Sequence, residues 1–185
     1  MVGDEFAGVL AAAQAGDEGA FSVLWRDANP VMVRYLRMIA PESAEDIAAE
    51  TWMSVVRGLP QFEGGESAWR AWLFTTARRR AVDAGRWRRR RPESPVAEVG
   101  VQDAGRAADS AEIALENMAT RSALATVACL PPAQAEVILL RVMAGLDTET
   151  VARLVGRSPG AVRLAAHRGL RRLAETLAAG TGVTR

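Results

Sequence analysis

The sequence has few of the residues that form disulfide bonds or bind metal ions. It contains one cysteine, Cys129, and one histidine, His167, which excludes a disulfide framework and leaves too few ligands for a zinc site. No apolar run approaches the roughly 20 residues of a membrane helix, and Asp4 and Glu5 stand where a signal peptide carries positive charge. We therefore expect a cytoplasmic protein with no membrane insertion and no cofactor or metal. Cys129 lies in the apolar run 123–130, which favours a buried core residue over a redox sensor.

Lysine is absent, so every cationic side chain is arginine, and the net charge of +1 conceals a strong segregation. Residues 1–66 carry 4 arginines against 11 acidic residues, whereas 67–91 carry 9 against 1. Residues 92–116 carry 1 against 6, and 117–185 carry 9 against 4. This pattern predicts two basic surfaces for nucleic acid, separated by acidic segments.

Apolar residues recur at helical spacing and β-branched alternation is missing, which predicts an all-α protein. Residues 92–110 contain two prolines and two glycines but no periodic apolar face, and are typical of a flexible linker. The chain therefore divides into two small helical domains of about 90 and 70 residues.

In the first domain, Asp17 is expected to cap a helix, and a second helix to cover 31–39 after Pro30. Ser43 and Asp46 have the capping-box spacing for a third helix. Its predicted inward face comprises Ile47, Thr51, Val55 and Leu59. A last helix, from Ala68 to about Arg90, has arginines on one side and an apolar set on the other: Trp69, Trp72, Leu73, Ala77 and Ala81.

Residues 147–172 have the pattern of a helix-turn-helix. Asp147 can cap a short helix, Gly156 can supply the turn, and Ser158 followed by Pro159 is a strong start signal for a second helix. The predicted buried stripe of that second helix is Val162, Ala166, Leu170 and Leu173. Arg163, His167 and Arg171 follow at i, i+4 and i+8 on the other side, where arginine could pair with guanine in a major groove.

The basic residues of the helix-turn-helix also have simpler explanations. Arg157, Arg168 and Arg172 could hold phosphates, the whole basic face could be merely solvated, and His167 could pack or touch a phosphate instead of a base. Asp46 and Glu50 stack on one exposed face that a basic partner would stabilise; the favourable effect of acidic residues at a helix N-terminus would also explain Asp46, but explains Glu50 poorly. In 69–83 (WRAWLFTTARRRAVD), aromatics and arginines share one helix, as in single-strand binding. Trp72 is favoured as a core residue, and Trp69 is left open between the core and base stacking.

Taken in order, five segments make the chain resemble a bacterial extracytoplasmic-function sigma factor, the small sigma-70 relative with regions 2 and 4 only. They are AGDEGAF (15–21), AEDIAAETW (44–52), FEGGESAWRAWLFTTARRRAVD (62–83), LPPAQAEVILLRVMAGL (130–146) and ETVARLVGRSPGAVRLAAHRGLRRL (149–173). The resemblance implies region 2 at 16–91, a linker at 92–114 and region 4 at 115–177. The chain departs from common family residues at Ala49, Arg79 and 164–166.

The resemblance also implies roles for particular residues. Docking on the β′ clamp helices of RNA polymerase core would use Asp46, Ile47, Glu50 and Met53. Melting and capture of the −10 element would use Gln61, Phe62, Trp69, Arg70, Arg78, Arg79 and Arg80. Reading of the −35 duplex would use Arg157, Ser158, Gly160, Arg163, His167, Arg168 and Arg171. Region 4 would touch the β flap, the acidic linker would run toward the RNA exit path, and an anti-sigma factor would control the protein.

Two other classes of protein compete with this interpretation. A free-standing helix-turn-helix regulator would leave the basic aromatic helix and the acidic face unused. An enzyme is disfavoured because no nucleophile–base pair or metal cluster can be assembled around the lone His167.

Overall fold

The computed structural model describes residues 2–90 and 126–181, which contain helices and no strand. The first bundle consists of α1 (Phe6–Gln14), α2 (Glu18–Ile39), α3 (Ala44–Gly58) and α4 (Glu66–Arg90). The second consists of α5 (Pro132–Ile138), α6 (Thr148–Val155) and α7 (Pro159–Thr181). Short 3₁₀ turns cover Gly3–Glu5, Pro41–Ser43 and Leu59–Gln61, and the π-helical residues Leu139–Met143 extend α5. The all-α prediction is confirmed, whereas the predicted linker, 92–114, and residues 115–125 lie outside the described residues.

The core of the first bundle lies between α2, α3 and α4, where side chains at helical spacing meet. Leu24, Leu36 and Leu73 are among its fully buried members. The predicted inward face of α3 is confirmed, since Ile47, Thr51, Val55 and Leu59 are all buried. The Thr51 hydroxyl donates to the Ile47 carbonyl at 2.7 Å, so this buried polar group is satisfied. Within the described residues, no helix is both long and apolar enough to cross a bilayer.

One predicted helix boundary and one predicted helix cap in this bundle are wrong. Pro30 lies inside α2 and does not end it; Pro30 is exposed, so the carbonyl of Arg26, which loses its usual N–H partner, can be hydrated. Ser43 precedes α3 but makes no capping hydrogen bond. It closes a 3₁₀ turn with ψ of 16°, away from the extended backbone of a capping residue. Asp17 is confirmed as a cap, because its carboxylate accepts from the Ala20 N–H at 2.6 Å.

The helix-turn-helix of the second bundle follows the predicted local signals. The Asp147 carboxylate accepts from the Thr150 N–H at 2.7 Å and caps α6. Gly156 ends α6 with φ of +69°, a conformation that glycine adopts without strain. Ser158 accepts from the Ala161 N–H at 3.2 Å, and Pro159 is the first residue of α7.

Packing of α7 differs from the predicted stripe by one residue. Leu170 is 50% exposed, and Gly169 takes the buried position against α5. A Cβ at Gly169 would lie 2.5 Å from Cδ1 of Ile138, so the Ile138 side chain of α5 packs directly against the backbone of α7. Cys129, predicted to be buried, is exposed. Its neighbours Val127 and Leu130 occupy the buried positions of that turn.

We expect Asp147→Ala to lower the free energy of unfolding by about 1 kcal/mol at neutral pH, the usual cost of losing a helix cap. Hydrogen bonds from the Thr150 backbone, and then from its side chain, lower the pKa of Asp147. A lowered pKa means that the stabilisation is present above the usual aspartate pKa and is lost as the pH falls through the folded-state value. Urea unfolding at neutral and strongly acidic pH measures this. Asp147→Asn, which keeps an acceptor, is the control at neutral pH, and an equal deficit of Asp147→Ala at both pH values would contradict the prediction.

Candidate nucleic-acid interface

The start of α7 carries the first candidate surface. All the residues predicted to contact duplex DNA are exposed there: Arg157, Ser158, Gly160, Arg163, His167, Arg168 and Arg171. A Cβ at Gly160 would meet no atom within 4 Å, so the backbone of this turn is open to a phosphate. Arg163 lies 3.9 Å from Glu149, and Arg171 lies 2.9 Å from Glu175. Such exposed ion pairs are worth little, so DNA can replace them.

The arginines in the middle of α4 have different environments. Arg79 is exposed. The Arg80 guanidinium donates to Glu50 at 2.5 Å and to the Ser54 hydroxyl at 2.6 Å. Glu50 and Arg80, predicted to serve two different partners, therefore pair with each other across α3 and α4, and the basic partner expected for Glu50 exists within the chain.

Arg70 is the most buried of the arginines predicted to contact DNA, with 3% of its side chain exposed. It pairs with Asp27, lies 3.4 Å from Glu66 and donates to the Ala144 carbonyl at 3.5 Å. Its position on α4, directly after Trp69 and one turn before Phe74, puts it on the buried side. In this arrangement Arg70 braces α2 and α4 against the second bundle and has no surface to offer to DNA.

Trp69 and Trp72 of α4 have different environments in the structure. Trp69 is 1% exposed and belongs to the core, which decides the alternative left open for it. Trp72, favoured as a core residue, is only partly buried and stacks on Phe62, with ring centroids 5.2 Å apart and planes 15° apart. A Cβ on Gly58 would lie 2.8 Å from Trp72, so glycine permits the indole to lie against α3. Phe62 and Trp72, rather than Trp69, form the aromatic edge that a base could reach.

The predicted polymerase-docking residues lie on α3, but not all on its surface. Asp46 and Glu50 are exposed and Met53 is 56% exposed, whereas Ile47 is 4% exposed and packs inward. Beside the acidic residues runs an apolar groove that sequence reasoning missed. Its lining includes Phe21, Trp25, Ala49, Trp52, Met53 and Val56. Trp25, 41% exposed, and Val56, 53% exposed, leave apolar area open to solvent along this groove.

Sequence reasoning also missed the contact between the two bundles. The Glu136 carboxylate of α5 accepts from the Arg78 guanidinium at 2.9 Å and from the Tyr35 hydroxyl at 3.1 Å. Burial, then the charge of Glu136, raises the pKa of the Tyr35 hydroxyl, which stays a donor. Burial opposes the charge on Arg78, but the hydrogen bond and charge of Glu136 outweigh it and raise the Arg78 pKa. Glu136 lies more than 50 residues from either partner, so no local pattern could have revealed it.

Comparisons with known proteins agree with the resemblance seen in the sequence. Residues 26–92 match the family model of Sigma-70 region 2, and residues 120–173 match that of Sigma-70, region 4. The ECF RNA polymerase sigma factor SigD of Mycobacterium tuberculosis is 31% identical over 188 residues, which cover 97% of this chain and 87% of SigD.

Two solved structures share the fold. One is the sigma factor RpoE of Bartonella quintana, solved with the anti-sigma factor NepR. It is 22% identical with a TM-score of 0.58, over 89% of this chain and 98% of that one. The other is CnrH, solved with the cytosolic domain of CnrY, which is 23% identical with a TM-score of 0.57, over 95% of this chain and 99% of that one.

The different burial of the two indoles gives a direct test of the site. Trp69→Ala should lower the free energy of unfolding by about 3–5 kcal/mol, because it empties a core position. Trp72→Ala should cost only about 1–2 kcal/mol, since it loses partial burial and one stacked ring pair. Urea unfolding followed by circular dichroism measures both. A cost for Trp72→Ala equal to that of Trp69→Ala would show that Trp72 is a core residue after all.

Proposed function

The chain belongs to the sigma-70 family as an extracytoplasmic-function sigma factor, and we propose that it directs bacterial RNA polymerase core to promoters with −10 and −35 elements and initiates transcription there. The observation that carries this function is that the chain matches sigma-70 regions 2 and 4 in that order. A known sigma factor also aligns with 97% of this chain. The free-standing regulator is not favoured, because region 2 would have no role in it. The protein acts by binding, not by catalysis, and works in the cytoplasm beside the polymerase.

The first proposed step is docking on core polymerase through α3. Asp46 supplies exposed negative charge for the basic clamp helices of the β′ subunit, and Met53 supplies apolar area beside it. Glu50 would exchange Arg80 for a partner arginine or lysine. The exposed Glu50–Arg80 pair contributes little on its own, so this exchange costs little.

The second proposed step is reading of promoter DNA by both bundles. The exposed face of α7, with Arg163 at its centre, would enter the major groove of the −35 duplex, while the same bundle touches the β flap. The loop 61–67 with Phe62 and the exposed Arg79 would capture the melted −10 strand. Each base stacked on an aromatic ring is worth about 1–3 kcal/mol, so a few such contacts offset unpairing.

Simultaneous reading of both elements requires the bundles to separate. The −10 and −35 elements lie about 25 base pairs apart, or about 85 Å at 3.4 Å per pair. A compact body of the described size has a radius of gyration of about 15 Å, and so measures about 40 Å across. The ion pair between Arg78 and Glu136 would therefore break in the initiating complex, which also releases Arg78 for the −10 strand.

Glu136→Ala should shift the free protein toward the separated form. Loss of hydrogen bonds to a charged group favours opening by about 1.5–3 kcal/mol, toward the lower value because both partners are partly exposed. Small-angle X-ray scattering should show a larger radius of gyration than for the wild type. Glu149→Ala, which removes an exposed acidic residue of the same bundle, is the matched control and should leave the radius unchanged. A radius of Glu136→Ala equal to that of the wild type would refute the proposed role of this contact.

We also expect an anti-sigma factor as a partner, because one fold neighbour, RpoE of Bartonella quintana, was solved with one. The exposed apolar groove around Trp25 and Met53 is a surface that such a protein could cover, thereby competing with polymerase. Co-purification of a bound protein from the host, lost on addition of excess core polymerase, would identify it.

Transcription reconstituted from purified core enzyme tests the function, and two variants separate core binding from recognition of the −35 element. Asp46→Arg should weaken core binding about tenfold or more through charge repulsion, without changing −35 duplex binding. Arg163→Ala should weaken use of −35-dependent promoters about tenfold or more, the value of one good base contact, and leave core binding intact. Each variant is the control for the other. If the wild-type protein with core starts no transcript from the host genome, the proposed function is wrong; if Asp46→Arg binds core normally, the docking face is wrong.

A further inference from the structure

The N-terminal helix α1 grips the loop that precedes α4, although it lies outside the region 2 match, which starts at residue 26. The side-chain amide of Gln14, the last residue of α1, donates two hydrogen bonds from Nε2. One goes to the Leu59 carbonyl at 2.9 Å and the other to the Phe62 carbonyl at 2.8 Å. These carbonyls lie at the two ends of a single 3₁₀ turn.

Two bonds from one nitrogen fix this turn more tightly than either bond alone. The Phe62 N–H already donates to the Leu59 carbonyl at 3.1 Å, which closes the turn. Gln14 adds two more hydrogen bonds from a separate helix, one to the same Leu59 carbonyl and one to the Phe62 carbonyl. Because the Phe62 backbone is held in this way, its ring stays stacked on Trp72, where the aromatic edge of the site lies.

A second contact secures the other end of the loop. The backbone N–H groups of Val2 and Gly3 donate to the Glu66 carboxylate at 2.9 and 3.0 Å. Glu66 is the first residue of α4 and also lies 3.4 Å from Arg70. The segment before α2 therefore touches the loop at both its entry and its exit, and Gln14 is the contact closest to Phe62.

We propose that Gln14 is a positioning residue for −10 recognition: its amide holds the Leu59–Phe62 turn so that Gln61 and Phe62 face the melted strand in one defined geometry. This inference rests on the proposed function. Gln14 itself touches no DNA and acts through the backbone of the loop.

Three variants test this role. Gln14→Glu has the same shape, but its carboxylate cannot donate and repels both carbonyls; Gln14→Leu removes the donors without adding charge. Ala15→Glu is the matched control, because it places the same charge one residue further on, at an exposed position. Holoenzyme made with each full-length variant is added to a host promoter fragment that the wild type opens, and to fragments with single substitutions in its −10 element. Permanganate reactivity of unpaired thymines measures opening.

We expect Gln14→Glu to reduce opening of the intact promoter about tenfold and Gln14→Leu about threefold to fivefold, with Ala15→Glu equal to the wild type. The preference for the intact over the substituted −10 elements should shrink in both Gln14 variants, which a purely structural role would not cause. Core affinity and −35 duplex binding should stay at wild-type values, because neither α3 nor α7 is changed.

Two results would overturn the proposal. One is opening and base preference unchanged in Gln14→Glu; the other is a parallel fall in opening, core affinity and thermal midpoint, which would make Gln14 a stability residue only. A wild-type holoenzyme that opens no promoter would refute the proposed function instead, so the two failures are distinguishable.

Discussion

Burial of Trp69 is the constraint on which the geometry of the first bundle depends. Its indole is 1% exposed and contacts the rings of Trp52, Phe62 and Trp72. One side chain thus joins α3, the loop and α4, and it fixes which side of α4 faces the core. The residues that follow on α4 take their environment from that orientation: Leu73 and Ala77 lie inward, and Arg79 faces solvent. The loop is placed against α4 by the same ring cluster.

Every cationic side chain in the sequence is arginine. This suits the basic helix α4, whose arginines pair with groups inside the protein and are also predicted to contact DNA. The planar guanidinium offers several donors at once, so Arg80 holds Glu50 and Ser54 together and Arg70 holds three groups on different elements. Arg78 joins the two bundles through Glu136. The protein therefore keeps part of its predicted DNA-binding charge in internal pairs.

Local signals predicted the local structure well where one residue acts on its immediate neighbours. Asp17, Asp147 and Ser158 cap their helices as expected, and Gly156 makes its turn with positive φ. The failures came where a neighbouring element decides the outcome. Pro30 remains helical because tertiary packing of α2 continues on both sides of it. At the α5–α7 crossing, the close approach selects Gly169 over the larger residue beside it.

The sequence by itself determined the family, the all-α class and the place of the helix-turn-helix, because these depend on spacing, capping and composition within short windows. Tertiary structure alone decided which of the candidate residues can reach a partner. Trp69, Arg70 and Ile47 are buried while near neighbours are exposed. Adjacent residues of a helix point in directions about 100° apart, and only packing against the core decides which of these directions faces inward. Contacts such as Gln14 with Phe62 or Glu136 with Arg78 join residues 48 and 58 positions apart, and such distances are brought together only by folding.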